Sequence, residues 1–140
     1  MTPSILALLA YVGWALLFEL GLLLYRTWLV LVRKRRANAF ATDGSDVSPF
    51  MNRLCRAMYN TLDNMPVFAA IVLAAHFSGH GGVTDPLARW VVGARVAQSL
   101  VHLMSTSQIA VMARATFYAV QVVVELIWVL QLLRIGFMSV

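Results

Sequence analysis

The chain has 140 residues, 61% of them hydrophobic and only 12% charged, with a mean hydropathy of +0.78. Soluble domains carry about 25% charged residues, so the composition excludes a soluble globular protein and points to one integral membrane domain over residues 1–140. The net charge of +5 does not indicate a nucleic-acid partner. Arg33, Lys34, Arg35 and Arg36 cluster directly after an apolar run, and no aromatic-interleaved basic surface accompanies them.

Four apolar segments are readable, at about 4–32, 51–77, 85–105 and 108–136, and each reaches the ~20 residues that cross a hydrocarbon core. The first is too long for a signal peptide and lacks a small-residue cleavage site. It carries Glu19 and Arg26, seven positions apart and placed to pair with each other or with neighbouring helices. The loop 37–50 is polar and rich in turn residues, and Ser48-Pro49 predicts the start of the second helix.

The second segment opens on Arg53, Cys55 and Arg56. A single cysteine excludes an internal disulfide, and no resolving partner lies near it. Arg56, Asn60 and Asp63 fall at i, i+4 and i+7, so they share one helix face. An ionisable group costs roughly 2.5–3.5 kcal/mol inside a bilayer, and a face that gathers three polar side chains has a site to build.

Gly79-His80-Gly81-Gly82 reads as a tight turn, with Thr84 or Asp85-Pro86 as the expected cap of the next helix. His76, His80 and Asp85 have no recognised ligand spacing, so no metal site is assigned. The third segment, interrupted by Arg89 and Arg95, aligns Arg95, Gln98 and His102. Ser105-Thr106-Ser107 is a very short connection, which predicts that the third and fourth segments pack as an antiparallel hairpin. The fourth aligns Arg114, Tyr118, Gln121 and Glu125. Trp14, Trp28, Trp90 and Trp128 lie mostly towards segment ends, as interfacial anchors do.

Lys and Arg mark the cytoplasmic side of a membrane. They crowd the first loop and are missing from the 78–84 turn, which predicts a cytoplasmic first loop and both termini on the opposite side.

Interhelical hydrogen bonds, worth about 0.6 kcal/mol each on average, account for Ser99, Gln121, Glu125 and Glu19 as bundle glue. The set Arg56, Asn60, Asp63, Arg95, Arg114 and Tyr118 asks for more. Three arginines against one central carboxylate leave excess positive charge, and desolvated positive charge requires an anion such as a carboxylate or thiolate. His102 shares the Arg95 face and fits either a packing or a ligand-binding role.

The run Arg56-Ala57-x-x-Asn60-x-x-Asp63-x-x-Pro66-x-Phe68 resembles the second-helix signature of the membrane-associated proteins in eicosanoid and glutathione metabolism, the MAPEG family, which has Glu where Asp63 stands. Arg95-Val96-Ala97, Arg114 with Tyr118, and the basic stretch Arg33 to Arg36 followed by Ala37 and Phe40 resemble its other signatures. The likeness covers nearly the whole chain and points to a bacterial-type member with a divergent site. It implies an all-α integral membrane four-helix bundle assembled as a homotrimer in the lipid bilayer. It further implies glutathione as co-substrate between subunits, held by Asn60, Asp63 and His102, with Arg56 and Arg95 either binding its carboxylates or serving the structure. Arg114 would activate the thiol and Tyr118 would add a hydrogen-bond donor. A lipophilic second substrate would enter from the lipid side.

The chain departs from the family pattern at several positions. Tyr59 stands where eicosanoid-making members often have arginine, Gln98 and His102 where some carry His and Tyr, and Ala115 replaces a possible Ser. These departures argue against prostaglandin or leukotriene synthesis. The leading expectation is a glutathione-dependent transferase or peroxidase acting on lipophilic electrophiles. The alternative is a non-enzymatic member that binds another anionic amphiphile or serves as a partner subunit. A small multidrug exporter ranks last, because arginine-rich stripes repel the cations it would carry.

Overall fold

The computed structural model describes residues 1–138; the last two residues of the expected domain, 139–140, lie outside the described residues. The described chain forms four helices, α1 (Pro3–Arg33), α2 (Pro49–Phe77), α3 (Ala88–Met104) and α4 (Gln108–Met138), with one 3₁₀ turn at Gly81–Val83. No strand occurs among the described residues. The architecture is all-α, a four-helix bundle.

Local chemistry sets the helix ends. The Thr2 hydroxyl accepts from the Ile5 N–H at 3.4 Å ahead of Pro3, and the Ser48 hydroxyl accepts from Met51 at 3.1 Å ahead of Pro49. Each pairs a capping oxygen with a proline whose missing N–H would have been an orphan anyway. Helix α2 ends in a Schellman arrangement around Gly79, which takes φ 78°. The His80 N–H reaches the Ala75 carbonyl at 2.8 Å and the Gly79 N–H reaches His76 at 3.2 Å, which satisfies two end carbonyls. Pro66 sits inside α2 and removes the amide that would have bonded the Leu62 carbonyl.

Helix α1 packs against α2 and α3, while α4 packs chiefly on α3 and more lightly on α2. The core joins Ala7 and Tyr11 of α1, Phe68, Ile71 and Val72 of α2, Ala88, Val91 and Val92 at the start of α3, and Trp128 of α4. Tyr11, Phe68 and Trp128 form a tilted aromatic series with centroids 5.5 and 6.1 Å apart, the offset geometry that ring quadrupoles favour. A second cluster of Phe18, Ala57 and Met58 lies toward the loop end.

Three sequence expectations are corrected. Trp128 is only 1% exposed, a core residue and not an interfacial anchor, because its position on α4 faces Phe68. Arg26 does not pair with Glu19; its guanidinium donates to the Ala41 carbonyl at 3.0 Å and lies over the Phe40 ring, so it ties the returning loop to α1. Thr84 does not cap α3, which begins at Ala88 without a side-chain cap, and neither does Asp85. Its carboxylate instead accepts from the Ser4 backbone N–H at 2.9 Å, at the positive end of α1.

Of the four spans expected from sequence, two among the described residues, α1 and α4, are long and apolar enough to cross a membrane, and only 22% and 17% of their most apolar stretches are buried. A core helix of a soluble protein would bury most of that surface. With so many leucines and valines left outside the bundle, the surface is suited to lipid or to another subunit.

Candidate functional site

The polar residues of α2, α3 and α4 converge toward the loop end of the bundle. Arg56, Tyr59, Asn60 and Asp63 of α2, Gln98 and His102 of α3, and Val111, Arg114, Ala115 and Tyr118 of α4 line one cavity of about 540 Å³. Small-molecule sites span about 300–1,000 Å³. A smaller recess of about 150 Å³, lined by Asn60, Asp63, Asn64 and Tyr118, shares three of those residues and reaches toward the bundle centre.

Helical register explains the convergence. Positions i, i+4 and i+7 on α2 return to one face, and that face meets the α3 stripe and the first turns of α4. The short 105–107 connection holds α3 and α4 together at this end. The Arg53 side chain donates from Nε to the Leu103 carbonyl at 2.8 Å, closing one of the free carbonyls at the end of α3.

Six of the seven expected site residues line the cavity: Arg56, Asn60, Asp63, His102, Arg114 and Tyr118. Arg95 does not. It is fully buried behind Asn60, with Nη1 at 2.6 Å from Asn60 Oδ1 and 3.3 Å from the Asn60 carbonyl. Its guanidinium also lies 5.8 Å from the Tyr11 ring centroid, and its Nε and Nη2 are sealed from solvent with no hydrogen-bond partner among the described residues.

The charges in the cavity are left unspent. Among the described residues the only ion pair joins Arg35 to Asp46 in the first loop, so Arg56, Arg114 and Asp63 are not bridged to one another. Tyr118 is about half exposed and directs no hydrogen bond to the described residues. Tyr59, by contrast, gives its hydroxyl to the Thr42 carbonyl at 3.2 Å, and so pins the loop to the cavity rim.

A buried polar layer supports the floor. Tyr11 donates to the Thr61 carbonyl at 3.0 Å, Thr61 meets Ser99 at 3.3 Å, and Ser99 donates to the Arg95 carbonyl at 2.9 Å. Asn64 donates to Glu125 at 3.2 Å, and Gln121 donates to Gln98 at 3.0 Å. Ser99, Gln121 and Glu125 therefore do interhelical work, whereas Glu19 is exposed.

Tyr59, Gln98 and Ala115 were legible as departures from a pattern but not as walls of the cavity. Gln98 stands three residues beyond Arg95, on the same face, and that spacing is the signal for it. No group of three or more His, Cys, Asp or Glu side chains among the described residues is arranged to hold a metal ion.

The sequence model of the MAPEG family matches residues 5–134, nearly the whole chain and every residue of the cavity. No curated protein and no solved structure gives a match.

Proposed function

The chain belongs to the MAPEG family, and from that premise we propose that it is a membrane-bound glutathione-dependent transferase or peroxidase for lipophilic electrophiles. One observation carries the reading: Arg56 and Arg114 line the same cavity as Asp63, with no ion pair among them. Two guanidinium groups facing one carboxylate suit a ligand that has carboxylates, an ammonium group and an ionisable thiol. Glutathione has all three.

In this reading Asp63 takes the ligand's ammonium group, Arg56 takes a carboxylate and Asn60 meets the peptide backbone. His102 is a further polar wall. Arg114 stands by the sulfur and Tyr118 adds a hydroxyl donor. A free thiol has a pKa of about 8.5 and is mostly protonated at neutral pH, and an adjacent guanidinium favours the thiolate. The thiolate attacks the electrophilic carbon, a C–S bond forms, and the leaving group departs with its electron pair. The thiol proton passes to water.

The reading includes four membrane crossings, with α2 and α3 spanning alongside α1 and α4. The polar face of α2 lowers its hydropathy because it lines the cavity, and α3, at 17 residues, is also shorter than the ~20 that cross a hydrocarbon core unaided. The basic first loop lies on the cytoplasmic side and both termini on the other. Three copies assemble, so that the apolar outer faces of the helices are shared between subunits and lipid.

A second reading, a non-enzymatic member that binds another anionic amphiphile or serves as a partner subunit, is favoured by one feature. Ala115 brings no hydroxyl to the cavity and Tyr59 spends its own on Thr42. Conjugation of glutathione to a generic aryl halide by the purified protein separates the two. Protein-dependent product supports the transferase, and its absence alongside tight fatty-acid binding supports the second reading.

A further inference from the structure

We propose that Arg95 is a positioning residue that fixes the polarity of the Asn60 side-chain amide, so that Asn60 meets a bound ligand only as a hydrogen-bond donor. The consequence for ligand affinity rests on the glutathione reading above; the amide orientation itself does not.

The orientation of an Asn amide follows from partners whose own polarity is fixed. Two such partners bracket Asn60. At one end, the buried Arg95 guanidinium can only donate, and its Nη1 lies 2.6 Å from Oδ1. At the other end, the Phe117 backbone carbonyl can only accept, so Gln121 must present Nε2 to it, at 2.8 Å. Gln121 Nε2 also donates to Gln98 Oε1 at 3.0 Å. That leaves Gln98 Nε2 as donor to Asn60 Oδ1, at 3.3 Å. Both ends demand the same answer: Oδ1 points inward and is doubly engaged.

The Nδ2 group is then left over. It makes no hydrogen bond within the described protein, while Asn60 lines both the main cavity and the inner recess. Its two hydrogens are offered to whatever occupies that space. A ligand must place a carbonyl or carboxylate there, and its ammonium group is directed to Asp63, the only carboxylate lining the cavity. Arg95 thereby sets the direction in which an α-amino-acid end can bind, without touching it.

The test uses full-length protein in lipid nanodiscs, labelled with ¹⁵N-asparagine. The Asn60 Nδ2 resonance is assigned by its loss in Asn60→Asp. In ligand-free protein these two protons are expected to exchange with water, and to shift in Arg95→Met, which has no donor, but stay in place in Arg95→Lys, which is still a pure donor. Protons that are protected from water and indifferent to Arg95→Met would overturn the proposal. Glutathione titration gives the second arm. Arg95→Met is expected to raise the dissociation constant about tenfold, the scale of one lost hydrogen bond, with Arg95→Lys restoring most of the affinity; unchanged affinity in Arg95→Met would overturn the proposal as well. Wild-type protein that binds no glutathione refutes the functional reading alone, since the exchange measurement still decides the orientation. Should Arg95→Met fail to fold, water exchange in the wild type and in Arg95→Lys decides it.

Discussion

Asp85 accepts both the backbone N–H of Ser4, at 2.9 Å, and the Ser4 hydroxyl, at 2.6 Å, across 81 positions of sequence. The same Ser4 hydroxyl lies 2.8 Å from Thr84. The α2–α3 turn is thus anchored to the first turn of α1, and a carboxylate faces the positive end of a 31-residue helix. Asp85→Ala would orphan buried donors on Ser4 and is expected to cost about 1–3 kcal/mol. Asp85→Asn keeps an acceptor and should cost less. Thermal unfolding in detergent reads both, and a midpoint unchanged in Asp85→Ala would contradict this anchoring.

The first loop has its own titrating contact. The Ser45 hydroxyl and the Ser45 N–H both donate to Asp43 Oδ1, at 2.8 and 3.1 Å, and these bonds hold the Asp43 carboxyl below its ordinary range. A depressed carboxylate contributes order that is present above the unfolded-state pKa and is lost as pH falls through the folded one. The protection factor of the Ser45 amide, its exchange rate corrected for the intrinsic pH dependence of exchange, should therefore hold at neutral pH and fall only in acid, below the usual aspartate range. Ser45→Ala should move that onset to higher pH. Identical profiles in the two proteins would count against the turn.

The helices were legible because apolar runs and capping pairs such as Ser48-Pro49 are local signals. The cavity was legible because Arg56, Asn60 and Asp63 repeat at helical spacing, as do Arg114 and Tyr118. What sequence did not separate was which polar residue faces the cavity and which lies behind it. Arg95 and His102 share a stripe, yet one is sealed beneath Asn60 and the other lines the wall. The difference comes from depth along α3, with Arg95 two turns further into the bundle and packed behind Asn60, a tertiary quantity with no local signature. Asp85 and Trp128 were misassigned for the same reason: Asp85 serves a helix 81 residues away, and Trp128 meets Phe68 across the bundle.

The proposed membrane orientation rests on the crowd of basic residues at 33–36 and their absence from 78–84. Single cysteines at Ser45 and Gly81 should label from opposite sides. A Cβ at Gly81 meets only Asp85 Oδ2, at 3.7 Å, an ordinary contact, so the substitution is tolerable there. Equal labelling of both sites from the cytoplasmic side would exclude this topology.

Assembly is the next expectation. The exposed leucines and valines of α1 and α4 leave much of a single bundle unburied, and a homotrimer is expected in mild detergent or lipid discs. Native mass measurement decides it; a monomer or antiparallel dimer under both conditions would count against subunit sharing.

The central claim is that Arg114 stabilises a glutathione thiolate while Asp63 holds the peptide. Near-ultraviolet thiolate absorbance, recorded during glutathione titration of the wild type, Arg114→Ala and Asp63→Ala, tests it most directly. A saturable thiolate signal is expected in the wild type. Arg114→Ala should lose that signal while still binding glutathione, and Asp63→Ala should bind more weakly by about 1.5–3 kcal/mol, the scale of a hydrogen bond to a charged group, since Asp63 is exposed in the single bundle. An undiminished thiolate signal in Arg114→Ala, or no glutathione binding by the wild type, would contradict it.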